Sequence, residues 1–235
     1  MDLFVGTSGF SYKEWKGSFY PQKLPAKDML AYYSERLPAV EINNTFYRLP
    51  QQSLLENWRS QVSATFRFSL KASQRITHFK RLKDTQEDMK YFLETASVLG
   101  DSFGVVLVQL PPNMKKDLER LQVFLTCLPA QTRTAFEFRH PSWFDDDVLA
   151  ALREHNRALC VSDTDDLPAS HIESTSDWGY LRLRRVEYTQ QDLEDWFKRM
   201  NAQTWRDAFV FFKHEDEGTG PKLAGRFIEI SKRLQ

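Results

Sequence analysis

Cysteine is scarce in this chain: Cys127 and Cys160 are the only two in 235 residues, with neither the spacing of a zinc site nor the number a disulfide framework needs. Both fall in apolar patterns and are expected to be reduced core residues. Long apolar runs are missing too. Nothing reaches the roughly 18 residues of a membrane-spanning helix. Met1-Asp2-Leu3-Phe4-Val5 enters a strand pattern without the basic and apolar regions of a secretory signal. These absences point to a cytoplasmic protein with no membrane partner. Net charge is also lacking, because 32 Lys and Arg balance 32 Asp and Glu. The chain therefore has no overall basic field of the kind that non-specific nucleic-acid binders carry, and an anionic partner must be held by a local patch. No Gly/Ser-rich or Pro-rich stretch is long enough to be a linker, so one domain over residues 1–235 is expected.

What the chain has is apolar and aromatic material, 41% and 14% of residues, enough to bury a large core. It is distributed as short Val-, Phe- and Leu-rich runs alternating with segments of helical period, the signature of repeated βα units on a parallel sheet. Eight candidate strands are Leu3–Gly6, Ala39–Asn43, Arg67–Lys71, Val105–Gln109, Thr134–Arg139, Ala158–Asp163, Tyr180–Arg184 and Phe209–Lys213. Helices are expected after Pro25, from Ser53, over Asp84–Leu99 and Leu118–Leu128 with stops at Gly100 and Pro129, and over Asp147–Glu154. Two more run from a Thr189 cap through Met200 and from Pro221 onward, where Leu223, Phe227 and Ile230 recur at helical spacing. The sixth connection, Thr164–Asp177, is short and polar. The fold class is α/β, a TIM-like (β/α)8 barrel with an irregular sixth βα unit.

Strand side chains alternate between faces, and here one set is apolar and the other polar. Phe66, Phe68 and Leu70 oppose Arg67, Ser69 and Lys71; Phe136 and Phe138 oppose Glu137 and Arg139; Leu181 and Leu183 oppose Arg182 and Arg184. The outer face of a barrel meets helices and must be apolar, so the polar set is expected inside, toward the C-terminal mouth. The last inward positions are then Glu41, Asn43, Lys71, Gln109, Glu137, Arg139, Asp163, Arg182, Arg184 and Lys213. Three carboxylates face five cations, and enclosed unpaired charge costs several kcal/mol. Either the charges close the barrel as a structural network, or an anionic ligand completes them.

Neighbouring loops add candidates. Gly6-Thr7-Ser8-Gly9-Phe10-Ser11-Tyr12 is a small-residue turn whose N–H groups could face an oxyanion, with Thr7, Ser8 and Tyr12 as ligand-binding candidates. Gly218-Thr219-Gly220-Pro221-Lys222 opens the last helix where such barrels often hold phosphate. Phe10, Tyr12, Trp15, Phe46, Tyr47 and Trp143 could stack on bases or sugars or pack the loops, and Tyr47 and Trp143 join the ligand-binding candidates. His78, His140 and His214 follow strands; His78 and His140 are further ligand-binding candidates. With Glu137 and Asp163 the three histidines offer donors for a divalent metal, but no His-x-x-x-His signature marks one and no cofactor is evident.

The strand-end motifs also carry a resemblance. The first turn, Phe19-Tyr20-Pro21, the run Val40–Arg48, Ile76-Thr77-His78, Gln109-Leu110-Pro111-Pro112 and Phe136–Trp143 resemble the domain-of-unknown-function family 72, the YecE-like proteins, over nearly the whole chain. The resemblance implies a TIM-like barrel with these residues around its mouth and no established activity. A likeness of that barrel to the endonuclease IV group suggests nucleic acid as ligand, by analogy of fold alone. Two strand ends depart from the family pattern by adding charge: Leu183-Arg184-Arg185 and Lys213-His214-Glu215-Asp216.

Three functional classes follow. One is a binding protein or hydrolase for a phosphate-containing ligand, nucleic acid first among them, with Lys71, Arg139, Arg182, Arg184 and Lys213 on the anion and Glu137, Asp163 or Glu41 as catalytic carboxylates. The second is a glycosidase-like enzyme using Glu41 or Asp163 with Glu137. The third is a non-catalytic small-anion binder.

Overall fold

Alternating strands and helices carry the chain once around a parallel barrel in the computed structural model, which describes residues 1–169, 171–214 and 216–234. The strands are β1 Asp2–Ser8, β2 Ala39–Ile42, β3 Arg67–Lys71, β4 Phe103–Gln109, β5 Thr134–Glu137, β6 Ala158–Leu159, β7 Val161–Asp163, β8 Trp178–Leu183 and β9 Asp207–Phe212. Their order is β6-β5-β4-β3-β2-β1-β9-β8-β7. The two end strands of that order are halves of one strand, interrupted at Cys160. β6 pairs with β5 through Ala158 and Leu159, the Cys160 amide donates to the Phe136 carbonyl at 2.8 Å, and β7 pairs with β8. The sheet closes through residue 160, giving a TIM-like (β/α)8 barrel in which the sixth strand is split.

Helices α1 Met29–Ser34, α2 Gln52–Ser60, α3 Gln86–Ala96, α4 Leu118–Thr126 and α5 Asp146–Glu154 follow the first five strands, and α6 Gln190–Asn201 and α7 Thr219–Leu234 follow β8 and β9. Local chemistry sets these elements. Thr189 and Asp192 form a reciprocal capping box at the start of α6, which buries Leu193, Trp196, Phe197 and Met200 at helical spacing. Past α3 the chain turns at Gly100, whose φ of +55° lies in the left-handed region that glycine adopts without penalty. The connection from β7 to β8 carries no helix among the described residues, as its polar composition predicts. No helix among them is long and apolar enough to cross a membrane.

The core has two layers. Phe209, Phe211, Trp178, Tyr180, Val105 and Leu107 fill the barrel with the smaller Ala39, Ala135, Ala158 and Cys160. Phe66, Phe68, Leu70, Phe136, Leu181 and Leu183 belong to the larger outer layer against the helices, on the face their alternation predicts. Cys160 is buried as expected, whereas Cys127 at the end of α4 is only half-buried, its thiol turned back on the Val123 carbonyl. At Gly6 the backbones of β1 and β2 approach so closely that a Cβ would lie 1.8 Å from the Ala39 carbonyl oxygen. Gly6→Ala has to move backbone, and we expect it to destabilise the fold by roughly 1–3 kcal/mol or more. Urea denaturation should show this as a lower midpoint at unchanged slope.

Candidate functional site at the barrel mouth

The inward side chains at the C-terminal ends of the strands converge on two carboxylates joined by one guanidinium. β2 supplies Glu41, β5 supplies Glu137 and β8 supplies Arg182, all three essentially fully buried. Arg182 donates to Glu41 at 2.9 Å and to Glu137 at 2.5 Å. Glu41 also accepts from Ser8 at 2.7 Å, Asn43 at 3.0 Å and the Tyr180 hydroxyl at 2.7 Å. Burial and the Glu41 charge push the Tyr180 hydroxyl up, so it stays protonated and donates, and Ser69 supports it at 2.7 Å. Glu137 accepts from Gln109 at 2.8 Å, Arg184 at 3.1 Å and Arg139 at 3.4 Å. Burial alone would raise both carboxyls. For Glu137 the guanidinium groups of Arg182, Arg184 and Arg139 outweigh burial and hold it at about 2. For Glu41, Arg182 and the Ser8 and Tyr180 hydrogen bonds do the same, and it too lies below the usual carboxylate range.

The cations are not balanced. Glu41 and Glu137 face Arg182, Arg184, Arg139 and Lys71, an excess of two positive charges. Arg182 and Arg184 each keep a buried Nε–H with no hydrogen-bond partner among the described residues. Lys71 makes no salt bridge among them; its ammonium lies 4.1 Å from the centre of the Phe46 ring. Burial and then the repulsion of Arg182 push it down to about 8. His78, edge-on to Phe46 at 4.8 Å, is lowered by burial and by Lys71 and Arg139. Lys71, His78 and Arg139 thus share one positive field.

Other expected site residues lie elsewhere. Asp163 does not point inward: Ala158 and Cys160 pack inside the barrel and Ser162 accepts a hydrogen bond from Arg184, which leaves Asp163 on the outer face beside Leu183. There its carboxylate accepts from the Ala169 amide at 2.9 Å, Arg185 at 2.8 Å and Tyr188 at 2.8 Å. The outer face of this strand meets a polar loop instead of a helix, so polarity there does not mark the inside. Thr7 is buried under the first turn against the Tyr33 hydroxyl at 2.9 Å, and the Gly9 amide donates to the Glu41 carbonyl at 2.8 Å. That turn spends these groups on itself. Trp143 is fully buried, its ring stacked on Phe138 at 4.7 Å and its N–H on the Met114 carbonyl. His140 caps the short turn Pro141–Trp143. Tyr12 donates to the Ser8 carbonyl at 2.7 Å, while Tyr47 is exposed on the rim. Lys213 is exposed and continues the register of Phe209 and Phe211, its amide bonded to the Leu183 carbonyl. The amide of Thr219, the first residue of α7, donates to the Asp216 carbonyl. Glu215 lies outside the described residues. The three strand-end histidines are dispersed, and no group of three His, Cys, Asp or Glu among the described residues is placed to hold a metal ion.

Two anchors escape a reading of the sequence, Ser69 and Tyr180. The signal for Tyr180 was its parity with Arg182 and Arg184 on one strand. Two cavities flank the network. One of about 690 Å³ lies between α1 and α2 and reaches Ser8 and Asn43. The other, about 660 Å³, reaches Glu137, Arg139 and Arg184.

The family profile described as "Protein of unknown function DUF72" matches residues 4–235. The chain belongs to this family. Among its relatives, the DUF72 chain is 26% identical to the UPF0759 protein YunF of Bacillus subtilis, over 97% of this chain and 94% of YunF. It is 33% identical to the UPF0759 protein YecE of Escherichia coli K12 over 60% of this chain and 50% of YecE. A DUF72 family crystal structure from Thermotoga maritima superposes with a TM-score of 0.86 at 27% identity, covering 99% of this chain and 100% of that one. One from Enterococcus faecalis superposes at 0.82 with 19% identity, covering 98% and 95%, and shares the fold.

Proposed function

We propose that this DUF72 protein works in the cytoplasm by binding a phosphate-containing ligand at the barrel mouth, held by Lys71, Arg139 and Arg184. The observation that carries this reading is the surplus of two positive charges around Glu41 and Glu137, with a partly buried Lys71 ammonium that no carboxylate meets. Enclosed cations without counter-charge are costly, and an incoming anion offsets that cost. The rim fits a ligand larger than phosphate alone. Tyr47 and Phe79 are 72% and 73% exposed, and Phe144, Leu167 and Val186 stand exposed in other loops of the same end. Exposed rings beside cations suit single-stranded nucleic acid, the first polymer to offer.

Binding is favoured over bond cleavage because both carboxylates have their oxygens engaged by internal donors. A glycosidase needs one carboxyl protonated as its acid, and neither Glu41 nor Glu137 holds its proton.

Isothermal titration with inorganic phosphate and fluorescence anisotropy of a labelled single-stranded oligonucleotide, each at low and moderate salt, test the reading. Saturable binding that weakens with salt and drops in Arg139→Ala is expected. Arg139 is a safe probe, since Glu137 retains Arg182, Arg184 and Gln109 without it. Failure of both ligands to bind at low salt overturns the proposal.

A further inference from the structure

In seven of the barrel units a helix covers the outer face of the strand. The sixth has none among the described residues, and a cavity of about 660 Å³ lies there, bounded by Leu159, Val161, Phe138, Phe144, Leu167 and Pro168. Its size is that of an ordinary small-molecule site. The wall behind it is open. β5 pairs with the sixth strand only as far as Leu159, and past the interruption at Cys160 β7 pairs with β8. No ladder hydrogen bonds join the end of β5 to β7 among the described residues. Through that seam the same cavity touches Glu137, Arg139, Ser162 and Arg184 of the barrel interior. One pocket therefore has an apolar flank outside the sheet and a cationic end inside it, where Arg184 holds a buried Nε–H without a partner among the described residues.

We propose that this side pocket takes a phosphate monoester of a ring-bearing alcohol, the phosphate on Arg139 and Arg184 and the ring against Leu159, Val161, Phe144 and Leu167. Charge sets the orientation. Asp166 lines the part of the pocket formed by the loop after β7, where Glu173 is paired with Arg153, so the Asp166 carboxylate disfavours an anionic group there and the arginines attract it. The ligand has one anionic end and an uncharged ring, and a bisphosphate is disfavoured. The assignment rests on the phosphate reading above and names the substrate class for the same cations.

Calorimetric titration of the full chain with inorganic phosphate, phenyl phosphate, 1-naphthyl phosphate and uncharged 1-naphthol tests it. Burying one ring should tighten binding about 10- to 100-fold over inorganic phosphate, the second ring should add to that, and 1-naphthol should bind far more weakly than its phosphate. Val161→Phe, which fills the pocket, should abolish the naphthyl advantage over inorganic phosphate. Leu167→Ser changes an exposed wall residue, 69% accessible, and should reduce the advantage with no burden on folding. If inorganic phosphate binds and the rings add nothing, or if both variants keep the full advantage, the side pocket is refuted and the phosphate reading stands. If 1-naphthol binds as tightly as its phosphate, the cationic end plays no part and the proposal fails. If no phosphate compound binds, the phosphate reading fails and this proposal fails with it.

Discussion

Arg182→Ala is expected to lower thermal stability more than any other single substitution in the mouth, by about 3–5 kcal/mol, the usual cost of removing one partner from a buried charge pair. For a domain of this size that is a fall in Tm on the order of 10 °C. The loss falls chiefly on Glu41. Without Arg182, Glu137 still meets Arg184 and Arg139, but Glu41 retains only Ser8, Asn43 and Tyr180, none of them charged. A carboxylate buried that completely with no cation takes up a proton or unfolds the site. Arg182→Met combined with Glu41→Gln removes the stranded carboxylate together with its cation, leaves Glu137 paired with Arg184 and Arg139, and should recover much of the stability. Calorimetric scans of the single and double variants decide it: an Arg182→Ala protein as stable as the parent would show that the bridge is not structural.

The same bridge sets the acid limb of stability. Glu137 is held at about 2 in the fold, below the roughly 4.3 of a free glutamate. A depressed carboxyl contributes stability that is fully present above its unfolded value and is lost as pH falls through the folded one. Urea midpoints of the parent should therefore hold above about pH 4.5 and decline toward pH 2. In Arg182→Ala the Glu137 contribution should be smaller and its decline should end at higher pH, because a weaker cationic field holds Glu137 less far below its unfolded value.

Much of this architecture was legible in the residues, for a physical reason that also explains the misreadings. Where a helix covers a strand the outer face must be apolar, so Phe66, Phe68 and Leu70 or Leu181 and Leu183 identify the outside, and Lys71, Glu137 and Arg182 follow as inside. The rule depends on the helix. Along the sixth strand there is none among the described residues, the outer face tolerates Asp163, and its polarity misleads. The missing helix was legible in the short polar connection Thr164–Asp177, but the split at Cys160 and the cavity beside it were not, since a seam in a sheet depends on which carbonyls the neighbours reach. Trp143 and Thr7 were misplaced because a loop aromatic or hydroxyl reads the same whether it faces a ligand or packs beneath a turn. Only coordinates separate the Trp143 ring on Phe138 from an exposed Tyr47.

Lys71→Ala is expected to do the reverse of Arg182→Ala, keeping the fold and losing the ligand. The ammonium has no carboxylate partner among the described residues, lies over Phe46 and is repelled by Arg182 and Arg139, so its removal should leave Tm unchanged or slightly higher. If it is one of the groups that hold phosphate, its loss should weaken inorganic phosphate binding about 10- to 100-fold, as charge-assisted contacts are worth roughly 1.5–3 kcal/mol. The pH dependence carries a sign that a mere packing role does not. Because Lys71 is pushed down to about 8, it is charged below that pH and neutral above, so parent affinity should fall as pH rises through about 8. Phosphate near the amine favours its protonated form, so binding between pH 8 and 10 should take up a proton, where phosphate itself is already a dianion. Titration in buffers of different ionisation enthalpy measures that uptake directly. Lys71→Arg keeps the charge and should move the alkaline limb beyond pH 10, while Lys71→Ala should flatten the profile. An unaltered affinity and pH profile in Lys71→Ala would remove this ammonium from the site and with it the observation on which the phosphate reading stands.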